Sequence, residues 1–555
     1  MRKSVVCFIL SSCLLFLNSC GQSPEQNAKK GTTSTNSSVS SIEKSEPVYG
    51  GRLILPLGSD PINLIPPLST DSESSTIESK LFVSPLKYNK DIELVPEAAK
   101  SFEVLNGGKL LKFTLRDDIR WTDGVPLTAE DVEFTYKMMI DPKTPTAYAS
   151  DYQNIKEFRL TGKYSFEVTY DKVFARSLVT WALPIMPKHL LEHENLTETR
   201  FARAPIGAGP YTLKEWIPGQ RVVLEANDDY FEGRPYIDEI VYRIIPDTST
   251  QFMELKTGKL DAMGLTPQQY LFQTKGKSWE KDFQKFKYLS FGYAWLGYNL
   301  DRPMFKDIRV RQALTYAINK EEIVKGVLLG LGYPAVGPYK PGTWVYNTKL
   351  VPYGYHPDKA KKLLKEAGWS DTDGDGILDR NGVPFSFTIL TNQGNSLRIK
   401  SATIIQNRLK DVGIDVKIRT VEWAAFINEF VNKGQFDVIL LGWTILQDPD
   451  IYDVWHSSKA VDGGLNITKY RNSEVDELLE RGRTTLDQAE RKKIYDRIQE
   501  ILYKEQPYCF LYVPMALPIY KSRIKGLKIE PAGLDYNANS WWIPKASQTK
   551  IRMQQ

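Results

Sequence analysis

The chain has 555 residues, more than one ordinary hydrophobic core can organise, so two or three domains are expected. Apolar residues make up 42% and charged residues 25%, which is the balance of a globular chain rather than a disordered one. The formal net charge is only +5 and both signs are interspersed, so composition gives no case for a nucleic-acid partner.

The chain opens with Arg2 and Lys3, then an apolar run over residues 8–17, then Asn18-Ser19-Cys20-Gly21. This is the pattern of a secretory leader. The small residues and cysteine at its end resemble bacterial lipoprotein signals, in which cleavage leaves the cysteine first and its thiol carries a palmitate-type diacylglycerol. The alternative is a plain leader cut nearby, with Cys20 lost. The run is shorter than the ~20 apolar residues of a spanning helix, so the lipid would be the only membrane anchor. Cys7 and Cys13 fall in the leader, which leaves Cys509 without a partner for an internal disulfide. Cys509 sits in the apolar run Tyr508-Cys509-Phe510-Leu511-Tyr512-Val513 and is expected as a buried strand thiol. Residues 21–47 are nearly free of large apolar side chains and read as a flexible tether.

The body begins with a strand at Gly50-Gly51-Arg52-Leu53-Ile54-Leu55. Residues 110–115 and 165–170 alternate as strands. Thr128-Ala129-Glu130-Asp131 has the form of a capping box, and Val132, Tyr136 and Met139 share a face of the helix it starts. Helices are expected over 307–318, over 357–367 with Gly368 as its stop, and over 403–412 with Gly413 as its stop. Residues 413–418 alternate as the strand that follows. Val438-Ile439-Leu440-Leu441 is wholly apolar and predicts a buried central strand. Helix followed by strand, repeated, predicts an α/β fold with sheets in more than one domain.

Four segments carry a resemblance. They are the strand–turn–helix stretch from Phe113 through Trp121, Asp123-Gly124 and Pro126 to Val132; Pro205-Ile206-Gly207-Ala208-Gly209-Pro210-Tyr211; Tyr298-Asn299 with Val310-Arg311-Gln312-Ala313-Leu314; and Phe436-Asp437-Val438 to Gly442-Trp443. In this order they resemble the extracellular solute-binding proteins of family 5, the peptide- and nickel-type receptors of ABC importers. The resemblance implies a bilobal periplasmic-binding-protein-like fold of three domains, with the ligand enclosed between lobes by hinge closure. It places the leader at 1–19 and the tether at 20–47. Domain I is then drawn from 48–82, 206–302 and 508–548, domain II is 83–205, and domain III is 303–507. It further implies permease subunits as partners, a peptide or other small solute as ligand, a monomer, and a place outside the cytoplasm on the periplasmic or outer side of a membrane. No catalysis and no cofactor beyond a structural calcium are expected.

Strand 438–441 delivers Trp443 and Thr444 to a strand end, where open α/β sheets present ligands. In peptide-binding relatives an aspartate three places after this tryptophan pairs with the peptide's amino group. Here Leu446 stands at that place, and Asp448 and Asp450 follow closely; either takes the role or, as Asp beside Pro commonly does, holds the turn. Glu73 falls near a ligand-facing acid of the family. Asp371, Asp373, Asp375 and Asp379 have calcium-loop spacing, with Gly382 where a bidentate acid would close the set; a tight Asp/Gly turn is the alternative. His189-Leu190-Leu191-Glu192-His193 fits an inverted zinc-peptidase pattern, against the simpler reading of an exposed amphipathic helix.

Overall fold

The computed structural model describes residues 46–444 and 448–548. The leader, Cys20, nearly all of the tether, and Leu446 lie outside these residues. Among the described residues no helix is long and apolar enough to cross a membrane.

The first strand, Arg52–Leu57, pairs in parallel with Glu239–Ile244. Parallel partners need a crossover, and here the crossover is a whole second body. Arg221–Ala226 and Tyr211–Ile217 complete the first sheet. The excursion carries its own antiparallel sheet in the order Ala99–Leu105, Leu110–Leu115, Ser165–Tyr170, Ile155–Gly162. Alternation buries Phe113, Phe166 and Val168 on one face of it, where the Phe113 and Phe166 rings stack at 4.8 Å. Helix Ala129–Ile140 covers that face. Its capping box is complete, since Thr128 Oγ1 accepts from the Glu130 N–H and Asp131 Oδ2 accepts from the Thr128 N–H at 2.8 Å.

The return from this body runs through Gly207 and Gly209. A Cβ on Gly207 would lie 1.8 Å from the Leu81 carbonyl oxygen, and one on Gly209 2.5 Å from the Leu81 carbonyl carbon. The Gly209 N–H donates to the Leu81 oxygen at 2.8 Å. The glycines are there because two main chains touch, at the C-terminal end of helix Ser72–Leu81.

The largest sheet has seven strands. Its path is Tyr288–Leu289, Tyr508–Ala516, Gly292–Tyr298, Val438–Thr444, Ser386–Asn392, Asp415–Val421, with Gly332–Pro334 beside Tyr508–Ala516. Val438–Thr444 has an antiparallel neighbour on one side and a parallel one on the other, and Val438, Ile439 and Leu440 are fully buried. Period-two alternation splits the strands between two cores. Leu296, Leu440 and Cys509 face one, and Trp295, Ile439 and Tyr508 face the other. Cys509 is a buried free thiol, and burial pushes its pKa up.

Boundaries drawn at 302/303 and 507/508 do not mark the crossing between lobes. Gly292–Tyr298 and Tyr508–Ala516 are interior strands of the large sheet, because an apolar strand gains more from two paired neighbours than from an edge. The chain crosses instead on two adjacent segments. Leu289 pairs with Met515, the Phe286 N–H donates to the Pro518 oxygen at 2.9 Å, and Pro518–Lys521 then joins a small sheet with Ala262–Gly264 and Phe283–Lys285.

Helices Ile308–Ala317 and Pro357–Glu366 lie within the ranges that periodicity suggested. The next helix is Ser396–Lys410, not one that starts at Thr403, because the Asn395 side chain caps it by accepting from the Arg398 N–H. That earlier start places Arg398 in a first turn. Gly413, with φ +85°, provides the left-handed residue that ends the segment.

Replacing Gly207 with alanine forces the two main chains apart. The expected loss is at least about 2 kcal/mol of unfolding free energy, read by urea titration; a loss within error of zero would mean that the close approach at Leu81 is not needed.

Candidate functional site: a cavity between the lobes

A cavity of about 790 Å³ lies where the N-terminal end of helix Ser72–Leu81 faces one end of the large sheet, at the C-terminal end of Val438–Thr444 and the start of Gly292–Tyr298. Its two walls differ. Thr70, Asp71, Ser72, Ser75 and Thr76 give a hydroxyl-rich side. Tyr293, Tyr339, Leu441, Ile451, Val454 and Tyr512 give an aromatic and aliphatic side. Trp443 and Thr444 stand at the strand end and line the cavity. The half-buried Trp443 ring stacks on Trp295 at 6.0 Å and 17°, and its Nε1–H donates to the Tyr508 hydroxyl at 3.4 Å. It is thus a cavity wall fixed from behind by the core.

Asp448 and Asp450 also reach the cavity, but their charges are already spent. Arg483 Nε–H donates to Asp450 Oδ2 at 2.8 Å. Arg176 Nε lies 3.3 Å from the same carboxylate and its Nη1 3.5 Å from Asp448, and Arg491 Nη2 is 3.3 Å from Asp448. Arg176 also donates to Asp151 at 2.8 and 3.0 Å, and Arg483 Nη2 stands 3.1 Å from Asp151. Both carboxylates hold their turn as well: Asp448 Oδ1 accepts from the Asp450 N–H and Asp450 Oδ1 from the Tyr452 N–H. Burial alone would push the Asp450 carboxyl up; Arg483 and Arg176 outweigh it and hold it below its ordinary value. Asp151 and Arg176 come from the excursion body, and Asp448, Asp450, Arg483 and Arg491 from the large-sheet lobe. The network therefore crosses the cleft. It is reinforced by Ser150 Oγ–H donating to Asp453 at 2.8 Å and the Ala175 N–H donating to the Arg483 oxygen at 2.6 Å. Sequence reading missed these arginines because Arg176 and Asp448 alone stand 272 positions apart and no local pattern announces such a pairing.

Other charges in the cleft lack partners. Arg398 lines the main cavity and a smaller adjoining one of about 210 Å³. It donates to Asn392 Oδ1 at 2.7 Å and makes no ion pair among the described residues. Burial lowers its pKa, which is the direction expected of an uncompensated cation. Glu73 lines the smaller cavity. Its carboxyl is pushed up to about 7, first by burial and then by Asp71, against the Gly58 N–H. Glu78, behind it, is pushed up to about 8 by burial, with the Ser69 hydroxyl opposing and Asp71 adding.

Asp371, Asp373 and Asp375 do converge, each within 4.8 Å of the others, but all three are exposed. Asp379 is not with them: its Oδ2 accepts from the Thr372 N–H and hydroxyl at 2.8 and 2.6 Å. The other carboxylates accept from loop N–H groups, as in a braced turn. His189 pairs with Asp123 at 2.8 Å across the body. His189, Glu192 and His193 do not converge as a ligand cluster among the described residues.

Two lobes, a paired crossing and a cavity between the lobes lined by fixed side chains define a binding protein that takes a small ligand. The family model for bacterial extracellular solute-binding proteins, family 5 (Middle), matches residues 93–463, and the chain belongs to that family. It is 36% identical to the oligopeptide-binding protein AppA of Bacillus subtilis over 97% of this chain and 98% of that one. It is 26% identical to the dipeptide-binding protein of Escherichia coli over 80% and 86%. Among solved structures, AppA from Bacillus subtilis in complex with a nonapeptide superposes with a TM-score of 0.86 at 35% identity, over 90% of this chain and all of that one. NikZ from Campylobacter jejuni in complex with Ni(L-His) gives 0.80 at 29% identity, over 88% and 99%.

The raised carboxyls set a pH dependence. Such an acid keeps its proton in the folded chain after the unfolded chain has lost it, so its contribution to stability falls as pH rises from 4.5 to about 8. Glu78→Gln removes that slope. Relative to the native chain, the variant should gain at least about 1 kcal/mol between pH 5 and pH 8 in urea unfolding; a difference that does not change with pH would contradict a buried, protonated Glu78.

Proposed function

We propose that this chain is the peptide receptor of an ABC importer, held at the outer side of a membrane by a lipid on Cys20. The observation that carries the reading is the cavity between the lobes with one hydroxyl-rich wall and one aromatic wall, joined to Arg398, which has no ion pair among the described residues. Aromatic faces take varied side chains, hydroxyls take main-chain groups, and a buried guanidinium takes a carboxylate. A peptide presents all three. The similarity to oligopeptide- and dipeptide-binding proteins supports the same ligand class. Closure would turn on the paired crossing at 285–292 and 514–518, and the permease would read the closed form. Binding and release by this route use no bond-making and no resident cofactor. The Asp371–Asp373–Asp375 loop is proposed as a braced turn remote from this cavity's lining, with calcium as an optional occupant.

Native mass spectrometry of the purified protein should find bound peptides, released on denaturation. A bound sugar or metal chelate with no peptide would replace the ligand class and leave the binding role intact. Arg398→Ala should weaken the recovered peptide at least tenfold, about 1.4 kcal/mol, by titration calorimetry; unchanged affinity would remove Arg398 from the site. Expressed with its leader, the native chain should fractionate with membranes and carry an acylated Cys20 by mass spectrometry, whereas Cys20→Ser should be found in the extracytoplasmic soluble fraction. Equal membrane retention of both forms would refute the anchor.

A further inference from the structure

The cleft contains an acid that has no counter-ion among the described residues. Asp71 lines the main cavity and its side chain is 4% exposed. Its Oδ1 caps helix Ser72–Leu81, accepting from the Glu73 and Ser74 N–H groups at 3.1 and 3.0 Å. Its Oδ2 is buried and has no hydrogen-bond partner. Among the described residues no lysine, arginine or histidine pairs with Asp71, nor with Glu73 or Glu78 on the same helix. A buried carboxylate oxygen without donor or counter-ion is costly. The helix N-terminus and its capping N–H groups answer the charge at Oδ1 only. The hydroxyls of Ser72, Ser75 and Thr76 line the wall around it.

The two acids that follow Trp443 are in the opposite condition, each held by two arginines. An ammonium group brought to Asp448 or Asp450 would meet Arg176, Arg483 and Arg491 as well. At Asp71 no arginine, lysine or histidine forms an ion pair among the described residues.

We propose that Asp71 Oδ2 is the receptor for an ammonium group of the bound peptide, a specificity-determining contact made from the lobe opposite Trp443. This rests on the peptide reading above. The ammonium can be the peptide's amino terminus or a lysine side chain. Either one supplies the donor that Oδ2 lacks and the positive charge that Glu73 and Glu78 lack. Glu73, protonated in part near neutral pH because it is buried without a cation, would lose that proton as the ammonium arrives.

The test uses the full chain, freed of bound ligand, and three pentapeptide pools of mixed sequence. One has free amino termini and no Lys or Arg; the second is the same pool N-acetylated; the third is N-acetylated and contains lysine. Titration calorimetry on the native chain and on Asp71→Asn gives the comparison. Asparagine caps a helix as well as aspartate does, so the midpoint of thermal unfolding should be nearly unchanged and a loss of binding is not a loss of fold. The native chain should bind an ammonium-bearing pool at least tenfold tighter than the N-acetylated, lysine-free pool, and Asp71→Asn should erase that preference. Preference for the first pool assigns the contact to the amino terminus; preference for the third assigns it to a lysine. If the native chain binds all three pools equally, or if Asp71→Asn keeps the preference, the proposal is wrong and the peptide reading stands. If the native chain binds none of the pools, the peptide reading falls and the proposal falls with it.

Discussion

The structure depends on a buried lattice of guanidinium and carboxylate groups that spans the cleft. Arg483 is 6% exposed in its side chain and Asp450 only 2%. Removing such charges from water costs several kcal/mol per ion, and the cost is recovered only where opposite charges meet in good geometry. Opposite charges do meet here: Arg176 touches Asp151, Asp448 and Asp450, and Arg483 touches Asp151 and Asp450. A lattice of this kind adds little net stability over apolar packing. What it does is tie the excursion body to the large-sheet lobe at Asp151 and Arg176 on one side and Asp448, Asp450 and Arg483 on the other. The segments that carry it, 148–153, 174–176 and 448–453, are also those that frame the cavity, so the position of the lobes and the shape of the cavity are set together.

The same lattice decides what kind of ligand group the cleft can receive. Its acids are neutralised from within, so the turn after Trp443 offers a ligand no free negative charge. Among the described residues Arg398 and Asp71 are left without counter-ions on opposite walls. A cavity with one unanswered cation, one unanswered acid, hydroxyls on one side and aromatic rings on the other is complementary to a zwitterion with a polar backbone. Trp443 contributes through rigidity: its ring is stacked on Trp295, and Trp295 on Tyr508 at 4.0 Å.

Much of the fold was legible in the sequence because local rules agreed with the tertiary result. Residues 110–115 and 165–170 alternate and are strands at those bounds; Thr128 and Asp131 form the capping box their spacing suggests; the apolar 438–441 run is a central strand. Gly207 and Gly209 stood in one of the segments that carry the family resemblance, although only the structure gives the reason for them, which is the contact with Leu81. The failures have causes. Asn395 outranked the helical periodicity that pointed to Thr403. Strands 292–298 and 508–516 were assigned to the wrong body because β pairing across 200 residues leaves no local trace. At the site, Trp443 and Thr444 were reached through strand-end logic; for Asp448 and Asp450 a ligand role and a turn-holding role were both open, and the turn bonds are there, joined by arginines that no local pattern announces. Arg176, Asp151, Arg483 and Arg398 were invisible, since an exposed arginine and a buried one look alike in a sequence. Asp71 hid for a related reason: a cap residue gives no sign that its second oxygen is unanswered.

The central claim is that charges from the two lobes are coupled when the cleft is closed on its ligand. A double-mutant cycle on Asp151 and Arg483 tests it most directly. Affinity for the peptide recovered with the protein is measured for the native chain, Asp151→Ala, Arg483→Ala and the double variant. Coupling across the cleft predicts that the second substitution costs far less than it does alone, with an interaction energy of at least about 1 kcal/mol. Additive losses, within about 0.5 kcal/mol, would show that the lobes meet without this lattice and would contradict the account.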